Sequence, residues 1–65
     1  MEYTNSQIRE AIAEHIHSER DRDILCARFI DGVKIERLAE LFDLSPRQVK
    51  NIIYKNEQIL FRKLP

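Results

Sequence analysis

Between Asp43 and Lys55 the chain reads DLSPRQVKNIIYK, and six of its side chains, Arg47, Gln48, Lys50, Asn51, Tyr54 and Lys55, are of types that hydrogen-bond phosphates and base edges. An arginine grips guanine O6 and N7 as a bidentate pair, Asn and Gln make the corresponding pair with adenine N6 and N7, and lysines neutralise phosphates. Duplex DNA offers both kinds of partner. A solvated helix face carries the same residue types, so the elements that hold these residues must decide between the two readings.

The start signal is clear. Ser45 suits an N-cap, Pro46 suits the first helical position where a missing N–H costs nothing, and Gln48 completes a capping box. Val49, Ile52, Ile53, Ile59 and Leu60 then predict an apolar face running toward Leu64. With Val49 and Ile52 turned inward, helical geometry turns Arg47, Gln48, Lys50, Asn51, Tyr54 and Lys55 wholly or partly outward. A short helix over Ile35–Phe42 precedes it, with Leu38, Ala39, Leu41 and Phe42 as apolar members and Lys34 a poor cap. Only Asp43 and Leu44 separate it from Ser45, which predicts a steep turn, and Asp43 tolerates the left-handed conformation such a turn tends to need. Residues 35–64 thus predict a helix-turn-helix, with Leu38, Ala39, Phe42, Leu44, Val49 and Ile52 at its interhelical offsets. A tight helical hairpin in a small bundle is the plainer alternative.

Upstream, Thr4 with Gln7 reads as a capping box, and Ile8, Ala11, Ile12 and Ile16 predict a first helix from about Asn5 to His17. Ser18 with Asp21 opens a second, from about 18 to 31, whose stripe is Ile24, Leu25, Ala27 and Phe29 and whose stop is Gly32. Strand signals are absent. The expectation is a single all-α domain over residues 1–65, a small four-helix unit ending in the helix-turn-helix.

Hydrophobic content of 43% with 34% charged residues is globular composition, and 65 residues are too few for a cofactor cleft between domains. Formal net charge is zero, which by itself argues against a nucleic-acid partner, but the charge is divided. Residues 1–45 hold six basic against ten acidic side chains, a balance of −4, and residues 46–65 hold five basic against Glu57 alone, a balance of +4. The positive third contains the stretch quoted first.

From Glu19 to Leu60, ERDRDILCARFIDGVKIERLAELFDLSPRQVKNIIYKNEQIL resembles region 4 of bacterial sigma factors, the domain that reads the −35 promoter element, and more distantly the DNA-binding domains of LuxR-type regulators. Arg20, Asp21, Ile24, Leu25, Arg28, Phe29, Gly32, Leu38, Ala39, Leu44, Ser45, Val49, Lys50 and Ile52 carry the likeness. Lys34, Arg37 and Asp43 depart from it, standing where the family has a hydroxyl, an acid and a glycine. The resemblance implies base reading by Arg47, Gln48 and Asn51 and phosphate contacts from Lys50 and Lys55. Nothing in the stretch from Met1 to Pro65 resembles region 2, so if this is the whole protein it is not expected to start transcription alone.

No enzyme is expected, because no nucleophile motif, Gly-rich phosphate loop or acid/base pair is present, and no cofactor is implied. His15 and His17 with Cys26 lack metal-type spacing, and a lone helical cysteine is more often inert than a sensor. That single cysteine, with neither signal peptide nor membrane span, points to the cytoplasm and away from a membrane partner. The rival function is a protein-interaction module docking on RNA polymerase or a sigma or anti-sigma partner, with Tyr3, Tyr54 and Phe61 as exposed anchors. Homodimerisation is compatible with the small footprint of one helix, and Ile53 and Phe61 are candidates for its contact, although core packing is the readier use for both.

Overall fold

Side-chain caps set most of the helix starts. A computed structural model describes residues 3–63, in the order α1 (Asn5–His15), α2 (Glu19–Phe29), α3 (Ile35–Phe42) and α4 (Pro46–Lys63), with no strand among the described residues. Thr4 Oγ1 accepts from the Gln7 N–H at 3.1 Å while Gln7 Oε1 accepts from the Thr4 N–H at 2.9 Å, the reciprocal box expected there. Ser18 caps α2 by accepting from the Asp21 N–H at 3.3 Å. Lys34 supplies α3 with no side-chain cap.

Two ends differ from the sequence expectation. The first helix stops at His15 rather than His17, because Ile16 turns extended (φ −107°, ψ 114°) to lead into the extended Ser18 cap. Ile16 still donates its N–H to the Ile12 carbonyl at 3.0 Å, so its side chain stays on the buried stripe. The second helix ends at Phe29 rather than Asp31. Its last turn widens, with Val33 N–H reaching the Ala27 carbonyl at 3.0 Å, and Gly32 makes the reversal at φ +69°. Beyond Gly32 and its two chain neighbours, no heavy atom of the described residues lies within 4 Å of the place a Cβ would take there, so conformation and not crowding calls for glycine.

The turn between α3 and α4 is tight. Asp43 adopts the left-handed region (φ 55°, ψ 48°), its N–H reaching the Glu40 carbonyl at 3.4 Å, while Leu44 N–H bonds the Ala39 carbonyl at 2.9 Å. This is the Schellman pairing, and it satisfies carbonyls that the end of α3 would otherwise leave open.

One core joins all four helices: Ile8, Ala11, Ile12 and Ile16, then Ile24 and Leu25, Leu38 and Ala39, and Val49, Ile53 and Leu60. The long α4 packs against each of the other three helices. Leu41 and Ile59, expected on apolar faces, are instead 56% and 40% exposed. In eight-residue α3 the buried stripe belongs to Leu38, Ala39 and the half-buried Phe42, and Leu41 falls about a third of a turn away. Ile59 stands about 100° around the helix from buried Leu60. The α4 position that sequence reasoning missed is Asn56, only 7% exposed. Its amide donates to the Ile52 carbonyl at 2.9 Å and to Asp21 Oδ2 at 3.4 Å, so a polar side chain sits in the core with partners.

Tyr3 and Phe61 are not the exposed anchors expected. Their rings lie 6.0 Å apart, and Phe61 meets Phe29 edge-on at 5.6 Å, a cluster linking Tyr3, α4 and α2. Ile53 is likewise core, so neither of the residues considered for a dimer contact is free. Leu64, expected at the end of the last apolar face, lies outside the described residues.

The phase of α4 is testable with two adjacent substitutions. Leu60→Ala is expected to cost about 2–5 kcal/mol in urea unfolding, as truncation of a buried leucine does. Ile59→Ala should remain within about 0.5 kcal/mol of the parent. Equal losses would contradict the phase.

Candidate nucleic-acid interface

The interface is built from the cap outward. Ser45 Oγ accepts from the Gln48 N–H at 3.1 Å and Gln48 Oε1 accepts from the Ser45 N–H at 2.9 Å, so two helix-start donors are satisfied reciprocally. With the start fixed and Val49, Ile53, Asn56 and Leu60 inward, the phase of α4 is set. Ser45, Arg47, Gln48, Lys50, Asn51, Tyr54 and Lys55 are all exposed, Tyr54 at 63%. The structure therefore brings Arg47, Gln48, Lys50, Asn51, Tyr54 and Lys55 onto the solvent side of α4, with Ser45 just before its first residue.

They are not equivalent there. At about 100° per residue, Arg47, Asn51 and Tyr54 form the line opposite the core, while Lys50 flanks it on one side and Gln48 and Lys55 on the other. Exposed Gln58 continues the outward line four residues after Tyr54, a position that the same phase makes readable once the core residues are known. Gln48 differs in a second way, because its carboxamide oxygen is turned back to the Ser45 N–H.

Three arginines outside α4 are engaged. Arg20 meets Asp21 at 3.2 Å, Arg37 meets Glu40 at 3.2 Å, and Arg28 donates to the Val33 carbonyl at 3.1 Å. Among the described residues Arg47, Lys50, Asn51, Tyr54 and Lys55 make no side-chain hydrogen bond or ion pair. The positive end of the chain thus presents unengaged donors, on a helix flank that carries only the half-buried Glu57 as an acid. Beside this flank an open cleft of about 220 Å³ is lined by Arg28, Phe29, Ile35, Lys50, Ile53, Tyr54 and Glu57.

No group of three or more His, Cys, Asp or Glu among the described residues could hold a metal ion, and His15 lies near Glu14 at 3.7 Å. Cys26 is half-buried, and that burial raises its thiol pKa against the lowering influence of Arg9, which is the opposite of an activated thiolate. No helix among the described residues is long and apolar enough to cross a membrane.

Among known proteins, no family model, curated sequence or solved structure matches the chain.

Removal of the cap hydroxyl should be felt as lost stability. Ser45→Ala is expected to lower unfolding free energy by about 1 kcal/mol, whereas Gln48→Glu, which retains an acceptor at the box position, should leave it within about 0.5 kcal/mol. Thermal or urea melts of the two variants check this, and an unchanged curve for Ser45→Ala would contradict the cap.

Proposed function

We propose that this chain binds duplex DNA, with the N-terminal half of α4 in the major groove and α3, the tight turn and α4 acting as a helix-turn-helix. The observation that carries the reading is the set of unpartnered donors, Arg47, Lys50, Asn51 and Lys55, on the exposed side of a helix in the positive third of the chain. Arg20, Arg28 and Arg37 are tied to acids or a carbonyl, whereas Arg9, Arg22 and Lys34 are as unpartnered as the α4 set, so what marks Arg47, Lys50, Asn51 and Lys55 is their clustering on one outward helix face. Base edges supply acceptors for Arg47 and Asn51, and phosphates supply them for Lys50 and Lys55. The helix start adds a favourable dipole for a phosphate.

On this reading, and on the resemblance to sigma factor region 4, the protein is a small transcriptional regulator of the cytoplasm that acts at promoters, alone or with RNA polymerase. Base contacts and a preformed helix make the binding sequence-specific. A second reading rests on the cleft beside α4, whose lining combines Phe29, Ile35 and Ile53 with Arg28 and Lys50 and suits an apolar anchor with an acidic neighbour, as a protein partner would present. The two readings differ in their response to salt.

Fluorescence anisotropy with a labelled random-sequence duplex pool, from roughly 50 to 200 mM salt, tests the first reading. Affinity is expected to fall with a log-log slope of about −0.9 per phosphate contacted, and Arg47→Ala with Lys50→Ala should weaken binding and flatten that slope. No binding at the lowest salt by folded protein would overturn it.

A further inference from the structure

The carboxamides of Gln48 and Asn51 are chemically alike but not equally available. Bidentate pairing with adenine needs both ends of the amide presented outward, the oxygen accepting from N6 and the NH₂ donating to N7. In Gln48 the oxygen faces the Ser45 N–H at 2.9 Å, and because that partner is a donor, only the oxygen can face it. Outward presentation would break the box that starts α4. Asn51 carries no such commitment, and it shares the outward line with Arg47, four residues earlier on the same face.

We infer that Gln48 is a positioning residue whose free NH₂ donates only, and that base choice rests on Arg47 and Asn51 as a pair. The inference rests on the DNA-binding reading above and assigns it a target class. Four residues of helix rise about 6 Å, and successive bases on a strand are about 3.4 Å apart, so with α4 laid along the groove the two side chains meet bases about two steps apart. Arg47 selects guanine and Asn51 selects adenine, each with roughly five- to a hundred-fold preference over the other bases. The recognised element is a guanine and an adenine separated by one base pair.

Selection of bound duplexes from a random pool, followed by sequencing, tests this with the parent chain and Arg47→Ala, Asn51→Ala, Gln48→Ala and Gln48→Glu variants. The parent is expected to enrich guanine and adenine two steps apart; Arg47→Ala flattens the guanine position and Asn51→Ala the adenine position. Gln48→Ala keeps both preferences, and Gln48→Glu, which retains the box and so the fold, keeps both at lower overall affinity. Loss of the adenine preference in the Gln48 variants with its retention in Asn51→Ala would overturn the division of roles. Duplex retained by the parent without enrichment at any position would overturn base choice while leaving DNA binding intact. No duplex retained by the parent would overturn the DNA-binding reading and this assignment with it.

Discussion

The rotational phase of α4 is the constraint on which both the core and the surface depend. Val49, Ile53 and Leu60 close the interior against the other three helices, and the same turns carry Arg47, Asn51 and Tyr54 on the far side. A slip of one residue would rotate every side chain by about 100°, burying charges and exposing isoleucines. Two local devices hold the phase before any long-range packing: the reciprocal Ser45–Gln48 cap and the left-handed Asp43 that closes the end of α3. Asn56 adds a polar stitch from the middle of α4 to Asp21 at the start of α2.

Electrostatics follow from that geometry. A chain with no formal net charge still presents a positive helix, because the acids lie mainly in the first three elements, where some of them engage the nearby cations. Free cations on a surface contribute little to folding and are screened by salt. The partner proposed above brings its own negative charge to them, and on that proposal the acidic remainder of the domain would oppose indiscriminate adhesion to polyanions.

Legibility in the sequence followed the range of the interactions. Both capping boxes, the stripe Ile8, Ile12, Ile16, the bounds of α3 and the exposure of the six polar residues of α4 could be read because each depends on neighbours within a turn or two. Leu41 and Ile59 were misplaced because hydropathy alone does not say how wide a buried stripe is; only the packed neighbours fix that width. Asn56 was missed for the converse reason, since a polar side chain reads as exposed until a partner such as Asp21, far away in sequence, supplies its hydrogen bond. Tyr3, Phe29 and Phe61 meet only through the fold, and no periodicity reports their contact. For Gln48 the sequence offers two roles, cap and base reader, and the geometry favours the first because the cap engages its only acceptor atom.

Titration of the ¹⁵N-labelled protein with a random-sequence duplex at low salt, with the amide shifts mapped, tests whether the N-terminal half of α4 is the surface that meets DNA. Changes are expected to concentrate at Ser45 to Lys55, with the side-chain amide of Asn51 among them, and to reverse as salt is raised. Shifts centred on the acidic faces of α1 and α2 or on the Tyr3–Phe29–Phe61 cluster, or no shifts in folded protein, would contradict it.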